Sequence, residues 1–143
     1  MRSLNPIQGS DFRRLAEMRL WESSALLAVG HYSGAYYLAG YAVEGALKAC
    51  ICKQQPGQVF PSRSAVPSVY THDVERLTRV AGLETLLRNE SASDAVFASY
   101  WTVAKDWTEQ SRYAFPRRVD AEHLYIAVSD VGHGVLRWLR QYW

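Results

Sequence analysis

The stretch 33–53, SGAYYLAGYAVEGALKACICK, constrains the fold more than any other part of the chain. At about 100° per residue, Tyr36, Ala39, Gly40, Val43, Ala46, Leu47, Cys50 and Ile51 fall on one apolar arc, while Tyr37, Tyr41, Glu44 and Lys48 fall on a second. Ala35, Ala42, Gly45 and Ala49 add to the small residues of the segment, so neighbouring backbones can approach it closely on several sides. A slim helix of this kind is expected at the centre of a bundle, with one face in the core and the other polar and aromatic.

The remaining periodicities are helical as well. Residues 1–9 read as a short tail and 10–143 as a single domain. Ser10 or Asp11 can cap a first helix running to about Val29, with Phe12, Leu15, Ala16, Leu20, Leu26 and Leu27 on one arc that Arg19 and Ser23 interrupt. Gly30, His31 and Tyr32 make the connection, Ser33 caps the second helix, and Pro56-Gly57 stops it. The loop 54–70 holds Pro56, Pro61 and Pro67 and is long for a bundle; it reads either as the cover of a site or interface or as an ordinary surface loop.

Thr71 or Asp73 starts a third helix with Val74, Leu77, Thr78 and Ala81 facing inward, broken at Gly82 and continued over 83–88. The run 91–94 resembles a capping box opening a long fourth helix to about Ala114, with a core stripe of Val96, Tyr100, Val103, Trp107 and Ala114. A second stripe on it, Trp101, Lys105, Thr108 and Arg112, projects polar groups from a single face. Phe115-Pro116 ends it, and a fifth helix is expected from about Asp120 to Tyr142, along Leu124, Ala127, Val128, Val131, Val135, Trp138, Leu139 and Tyr142. The expected fold is all-α, an antiparallel up-and-down bundle of four to five helices.

Composition narrows the function classes. With 143 residues, 48% of them hydrophobic, the chain suits one domain with a sizeable core. No apolar run approaches the roughly 18 to 20 residues of a membrane span, and MRSLNPIQGSDF holds no signal-like apolar segment, so a cytoplasmic protein without membrane association is expected. Cys50 and Cys52 diverge on the helix too far for a disulfide, and no second Cys or His pair stands at zinc spacing, so neither metal nor cofactor is expected. The net charge of +2 argues against indiscriminate nucleic-acid binding. Arg exceeds Lys thirteen to three, which suits forked recognition of phosphate or follows from GC-rich coding.

The run LAGYAVEGALKA, the later Tyr70-Thr71-His72-Asp73, then WTVAKDWTEQSRY and the terminal GVLRWLRQYW together resemble a HEPN domain over roughly residues 13–143. That family of small helical bundles occurs in prokaryotic toxin–antitoxin and phage-defence systems and in some larger eukaryotic proteins. The resemblance implies a homodimer enclosing a composite cleft. It also implies either a metal-independent endoribonuclease or a non-catalytic module that binds RNA, a nucleotide or a nucleotidyltransferase; a structural dimerisation domain is the plainest alternative. Active members carry an Arg, four to six residues, and a His. The His moves a proton of the RNA 2′-OH or leaving group, and the Arg stabilises charge on the phosphoryl oxygens.

Arg118 and His123 have this spacing, Arg117 is also in range, and Arg112 beside Tyr113 is the alternative positional equivalent of the Arg. Tyr125 stands where toxins paired with a minimal nucleotidyltransferase antitoxin carry the Tyr that is modified to silence them. Without catalysis, Arg117 and Arg118 beside the first N–H groups of the last helix suit a phosphate. His72 and Asp73 either orient each other at the mouth of a cleft or act locally, Asp73 as a helix cap. Glu44 and Lys48, four apart, are an intrahelical ion pair or, in a buried cleft, contacts for Arg112 or a ligand. The five Trp suit core and dimer contacts, with Trp101 the candidate for base stacking.

Overall fold

The computed structural model describes residues 5–143 as helices joined by short connections apart from the loop 54–73. The elements are α1 Gly9–Ala28, α2 Tyr32–Lys53, α3 Val74–Val80, α4 Glu84–Ser93, α5 Ala95–Lys105, α6 Arg118–Ser129 and α7 Val135–Leu139, with 3-10 turns at Pro56–Gln58, Pro67–Val69 and Glu109–Tyr113. The all-α expectation holds. There are seven α-helices among the described residues rather than four or five, because the third expected helix divides at Gly82 into α3 and α4 and the fifth divides over 130–134 into α6 and α7. Of the expected tail, residues 1–4 lie outside the described residues; Ile7 and Gln8 pair instead with the 54–73 loop, Ile7 C=O accepting from Phe60 N–H at 2.8 Å.

α2 is the centre of the bundle. Thirteen of its residues are buried, including Ala35, Ala39, Ala42, Val43, Ala46, Leu47, Cys50 and Ile51. Small residues permit this: α1 packs along it with Ala16 against Gly45, and the Ser23 hydroxyl, fully buried, donates to the Ala35 carbonyl at 2.7 Å. The polar break in the α1 stripe is thus a helix-to-helix hydrogen bond. Burial pushes the Cys50 thiol up to about 12 and Cys52 up to about 11, and both cysteines are free.

On the other side, Gly40 sits under the fully buried indole of Trp107; a Cβ there would lie 2.1 Å from the ring. Trp138 fills the far end of the core among Phe97, Trp101 and Tyr142, with centroids 5.2, 6.1 and 5.6 Å away. Of the remaining tryptophans, Trp21 is 84% exposed on α1.

Five local expectations are corrected. α1 starts at Gly9, with the Asp11 carboxylate accepting from Gln8 N–H at 2.9 Å, and α2 starts at Tyr32 with His31, not Ser33, at its cap. The capping residue of α5 is Asp94 alone, accepting from Val96 and Phe97 N–H at 3.1 Å, while 91–93 end α4. α5 stops at Lys105, so the core stripe is Phe97, Trp101 and Ala104, Val96 and Ala114 are exposed, and the stripe Trp101, Lys105, Thr108, Arg112 is not one face. The last helix breaks over 130–134. There the Asp130 carbonyl accepts from Gly134 N–H and its carboxylate from His133 N–H, turning the chain and leaving Val131 90% exposed.

Asp94 couples this break to α5. Its Oδ2 faces His133 Nδ1 at 2.7 Å, and the carboxyl is held below the usual range, first by that hydrogen bond and then by the capped N–H groups. A carboxyl with a lowered folded-state pKa supports folding in full above its unfolded value, near pH 4, and loses that support as the pH falls through the folded value. Asp94→Asn is therefore expected to flatten the acid limb of a stability profile below about pH 4, read by urea unfolding at stepped pH. An acid limb identical to the parent would contradict the pairing.

Among the described residues, no helix is long and apolar enough to cross a membrane.

Candidate functional site

The polar arc of α2 is drawn into one cluster by two later segments. Tyr37, Tyr41, Glu44 and Lys48 recur at helical spacing, the end of the 54–73 loop brings His72, and the chain after α5 brings Trp107 and Arg112. Glu44 is the hub. Its residue is 5% exposed, Oε1 meets His72 Nδ1 at 2.5 Å, and Oε2 accepts from Lys48 Nζ at 3.5 Å. A carboxylate removed from water needs such partners, because its lost hydration is otherwise uncompensated. With Nδ1 committed, the His72 ring nitrogen left without a protein partner among the described residues is Nε2, on a side chain that is 43% exposed.

Aromatic rings wall the dyad. Tyr41 stands edge-on to His72 and Trp107, at centroid distances of 6.0 and 5.1 Å, and Tyr37 donates its hydroxyl hydrogen to Tyr41 at 3.3 Å. The Tyr41 phenol is held well above its ordinary pKa by burial first, then by Tyr37 and the Glu44 charge, with Arg112 opposing, so it is a neutral hydrogen-bonding group at any physiological pH. Arg112 is exposed, lies over the Tyr113 ring at 4.8 Å, and makes no ion pair with a carboxylate among the described residues. Its guanidinium holds its proton more tightly than usual, chiefly through Tyr113 and also through Tyr37. A row runs from Arg112 through Tyr37 and Tyr41 to His72.

The long loop reaches this site by packing rather than by hanging free. Phe60 stacks between Phe12 and Tyr70 at 5.0 and 5.4 Å, the Tyr70 hydroxyl donates to the Pro61 carbonyl at 2.9 Å, and Val69 is fully buried. Lys48 Nζ lies 5.7 Å from the centre of the Phe60 ring. The strap ends on His72, whose expected local bonding is corrected: its partner is Glu44, 28 residues away. Asp73 does cap α3, accepting from Arg76 N–H at 2.9 Å, and is not paired with His72.

The second group of predicted residues behaves differently. Arg118 and His123 lie about 140° apart around α6, so they do not converge within one chain. Arg118 Nε instead donates to Glu122 at 2.6 Å. Asp120 accepts from the Arg117 backbone N–H at 2.9 Å and from Nε and Nη2 of its guanidinium, each at 3.2 Å, so the expected phosphate position at the start of α6 already holds a carboxylate. Asp120 titrates below the usual carboxylate range because of this pairing. Tyr125 is half-buried, on the opposite side of α6 from His123.

His123 is exposed and lines a cleft of about 570 Å³ between α2, α5, the 3-10 turn and α6, together with Tyr36, Asp106, Ser111 and Asp120. Sequence reasoning missed this cleft. Its residues come from positions 36 to 123 with no shared periodicity, and only the tertiary fold brings them together. Among the described residues, no group of three or more His, Cys, Asp or Glu is arranged to hold a metal ion.

Comparison with family models, with curated proteins and with solved structures found no match for this chain.

Proposed function

We propose that the chain is a HEPN-type helical module that binds RNA or a nucleotide, with phosphate oxygens received on the row formed by Arg112, Tyr37, Tyr41 and His72. The observation that carries this reading is the buried Glu44 carboxylate, which holds both Lys48 and His72, while Arg112, reached from this pair through Tyr41 and Tyr37, makes no ion pair among the described residues. The Arg112 guanidinium and the Tyr41 hydroxyl offer donors to an anion, protonated His72 adds its Nε2–H, and flanking aromatic rings suit unstacked bases. Arg117 and Arg118 contribute little, because each is already neutralised on its own helix.

The test is fluorescence anisotropy with a labelled single-stranded RNA. Affinity should fall as salt rises; Arg112→Ala should weaken binding about tenfold and His72→Ala severalfold, with Arg118→Ala close to the parent. RNA binding that is indifferent to Arg112 but abolished in Arg118→Ala would overturn the placement.

A cleaving form of the same reading has its own support in the Glu44–His72 dyad. A fixed Nδ1 leaves Nε2 to take the proton of an RNA 2′-OH, with Arg112 beside the phosphoryl oxygens. Cleavage would then survive EDTA and His123→Ala but not His72→Ala. Loss in His123→Ala instead would return the chemistry to Arg118 and His123 contributed by two copies. The homodimer belongs to this proposal as well, supported by Tyr113, Phe115 and Val119, which are 70%, 94% and 39% exposed close together in the chain. A cytoplasmic toxin–antitoxin or defence role, with a minimal nucleotidyltransferase acting on Tyr125, completes the same reading.

A further inference from the structure

We infer that the cleft carrying His123 is a nucleobase subsite selective for guanine, an inference that rests on the RNA-binding reading and adds its specificity. The cleft, about 570 Å³, falls within the range of small-molecule sites and would take a nucleoside. Its apolar walls include Tyr36, Val103 and Pro116, and Asp106, Gln110 and Ser111 join Thr108, Asp120 and His123 as its polar groups. Ser111 is 8% exposed, and its Oγ is buried without a hydrogen-bond partner, which is uncommon for a native hydroxyl and points to a partner supplied from outside the chain.

The charges in the cleft select the ligand. Asp120 is neutralised by Arg117, whose backbone N–H and guanidinium Nε and Nη2 all donate to it. Asp106 has no ion-pair or hydrogen-bond partner for its carboxylate among the described residues, yet both carboxylates lie near enough to raise the Tyr36 phenol pKa after burial has done so. An exposed carboxylate without a protein partner repels phosphate and can accept two parallel N–H donors. Guanine presents that pair from N1 and its exocyclic amine; adenine, cytosine and uracil in their neutral forms present no such adjacent pair. The 3-10 turn Glu109–Tyr113 links the two halves of the site, since Ser111 lines this cleft and Arg112, the next residue, faces Tyr37. A phosphate held by Arg112 and a base held in the cleft would thus be read by adjacent residues.

The experiment compares a guanine-containing single-stranded RNA with a guanine-free RNA of equal length, bound to the intact protein and to Asp106→Asn and Ser111→Ala. The parent should prefer the guanine-containing strand about tenfold. Asp106→Asn should lose that preference while binding the guanine-free strand at least as tightly as the parent, since one phosphate-repelling charge is gone, and Ser111→Ala should reduce the preference. Equal parent affinity for both strands, or a preference unchanged in Asp106→Asn, overturns the guanine subsite while leaving the Arg112 reading standing. Binding of neither strand overturns both.

Discussion

Gly40→Ala is expected to lower the thermal midpoint by roughly 6–10 °C, equivalent to about 2–3 kcal/mol for a chain of this size. The new methyl would lie 2.1 Å from the Trp107 ring, and that ring is 1% exposed, hemmed in by Tyr37 and Tyr41 at 6.3 and 5.1 Å. No rotation of the methyl relieves the overlap, so either α2 or the segment carrying Trp107 must move. Scanning calorimetry reads the change, and a midpoint within about a degree of the parent would show that Trp107 can yield. The double variant Gly40→Ala/Trp107→Leu should be more stable than the sum of the two single changes implies, because a smaller side chain removes the clash. Trp107 also walls the Tyr41–His72 cluster, so Gly40→Ala should weaken RNA binding without touching a group placed on the RNA.

Glu44→Ala is the second large effect, about 3 kcal/mol of stability. The loss is not that of an ordinary surface ion pair. Lys48 has a side chain only 13% exposed, and without Glu44 its charge stays in a half-dry site between α2 and the Phe60 ring with no anion to meet it. His72 loses the bond that ties the end of the long loop to α2. Glu44→Gln keeps the volume and a hydrogen bond to His72 but not the charge, and should recover part of the stability. Glu44→Ala/Lys48→Met should recover more, since it removes the stranded ammonium and keeps an apolar stem. Urea unfolding orders the three variants; a Glu44→Ala chain as stable as the parent would mean that the carboxylate is solvated and the hub is not one.

The helical class and the central role of α2 were legible because they depend on local rules. Small residues at helical spacing specify a helix approached from several sides, and the polar arc of Tyr37, Tyr41, Glu44 and Lys48 was visible in the same periodicity. What escaped was governed by tertiary competition. Pattern alone carries α5 on to Ala114, yet Trp107 leaves the helix to reach the bare surface at Gly40, and no local signal marks that exchange. Likewise, Val131 continues an apolar stripe that Asp130 breaks with a turn.

The site was half legible for the same reason. Glu44 and Lys48 stand four apart and declare their pairing, whereas the His72 contact spans 28 residues across a loop without periodicity. The spacing of Arg118 and His123 matched a family pattern, but spacing on one helix says nothing of which groups already hold partners. Arg118 is occupied by Glu122, four residues on, while Arg112 keeps its charge free because its neighbours in space are tyrosines.

The most direct test of the account follows the four histidine rings by NMR as a single-stranded RNA is added. The account predicts that the His72 ring resonances shift and saturate with RNA, that His31 and His133 stay in place, and that in Arg112→Ala the His72 shift saturates only at about tenfold higher RNA concentration. RNA that binds while His72 is unmoved would contradict it.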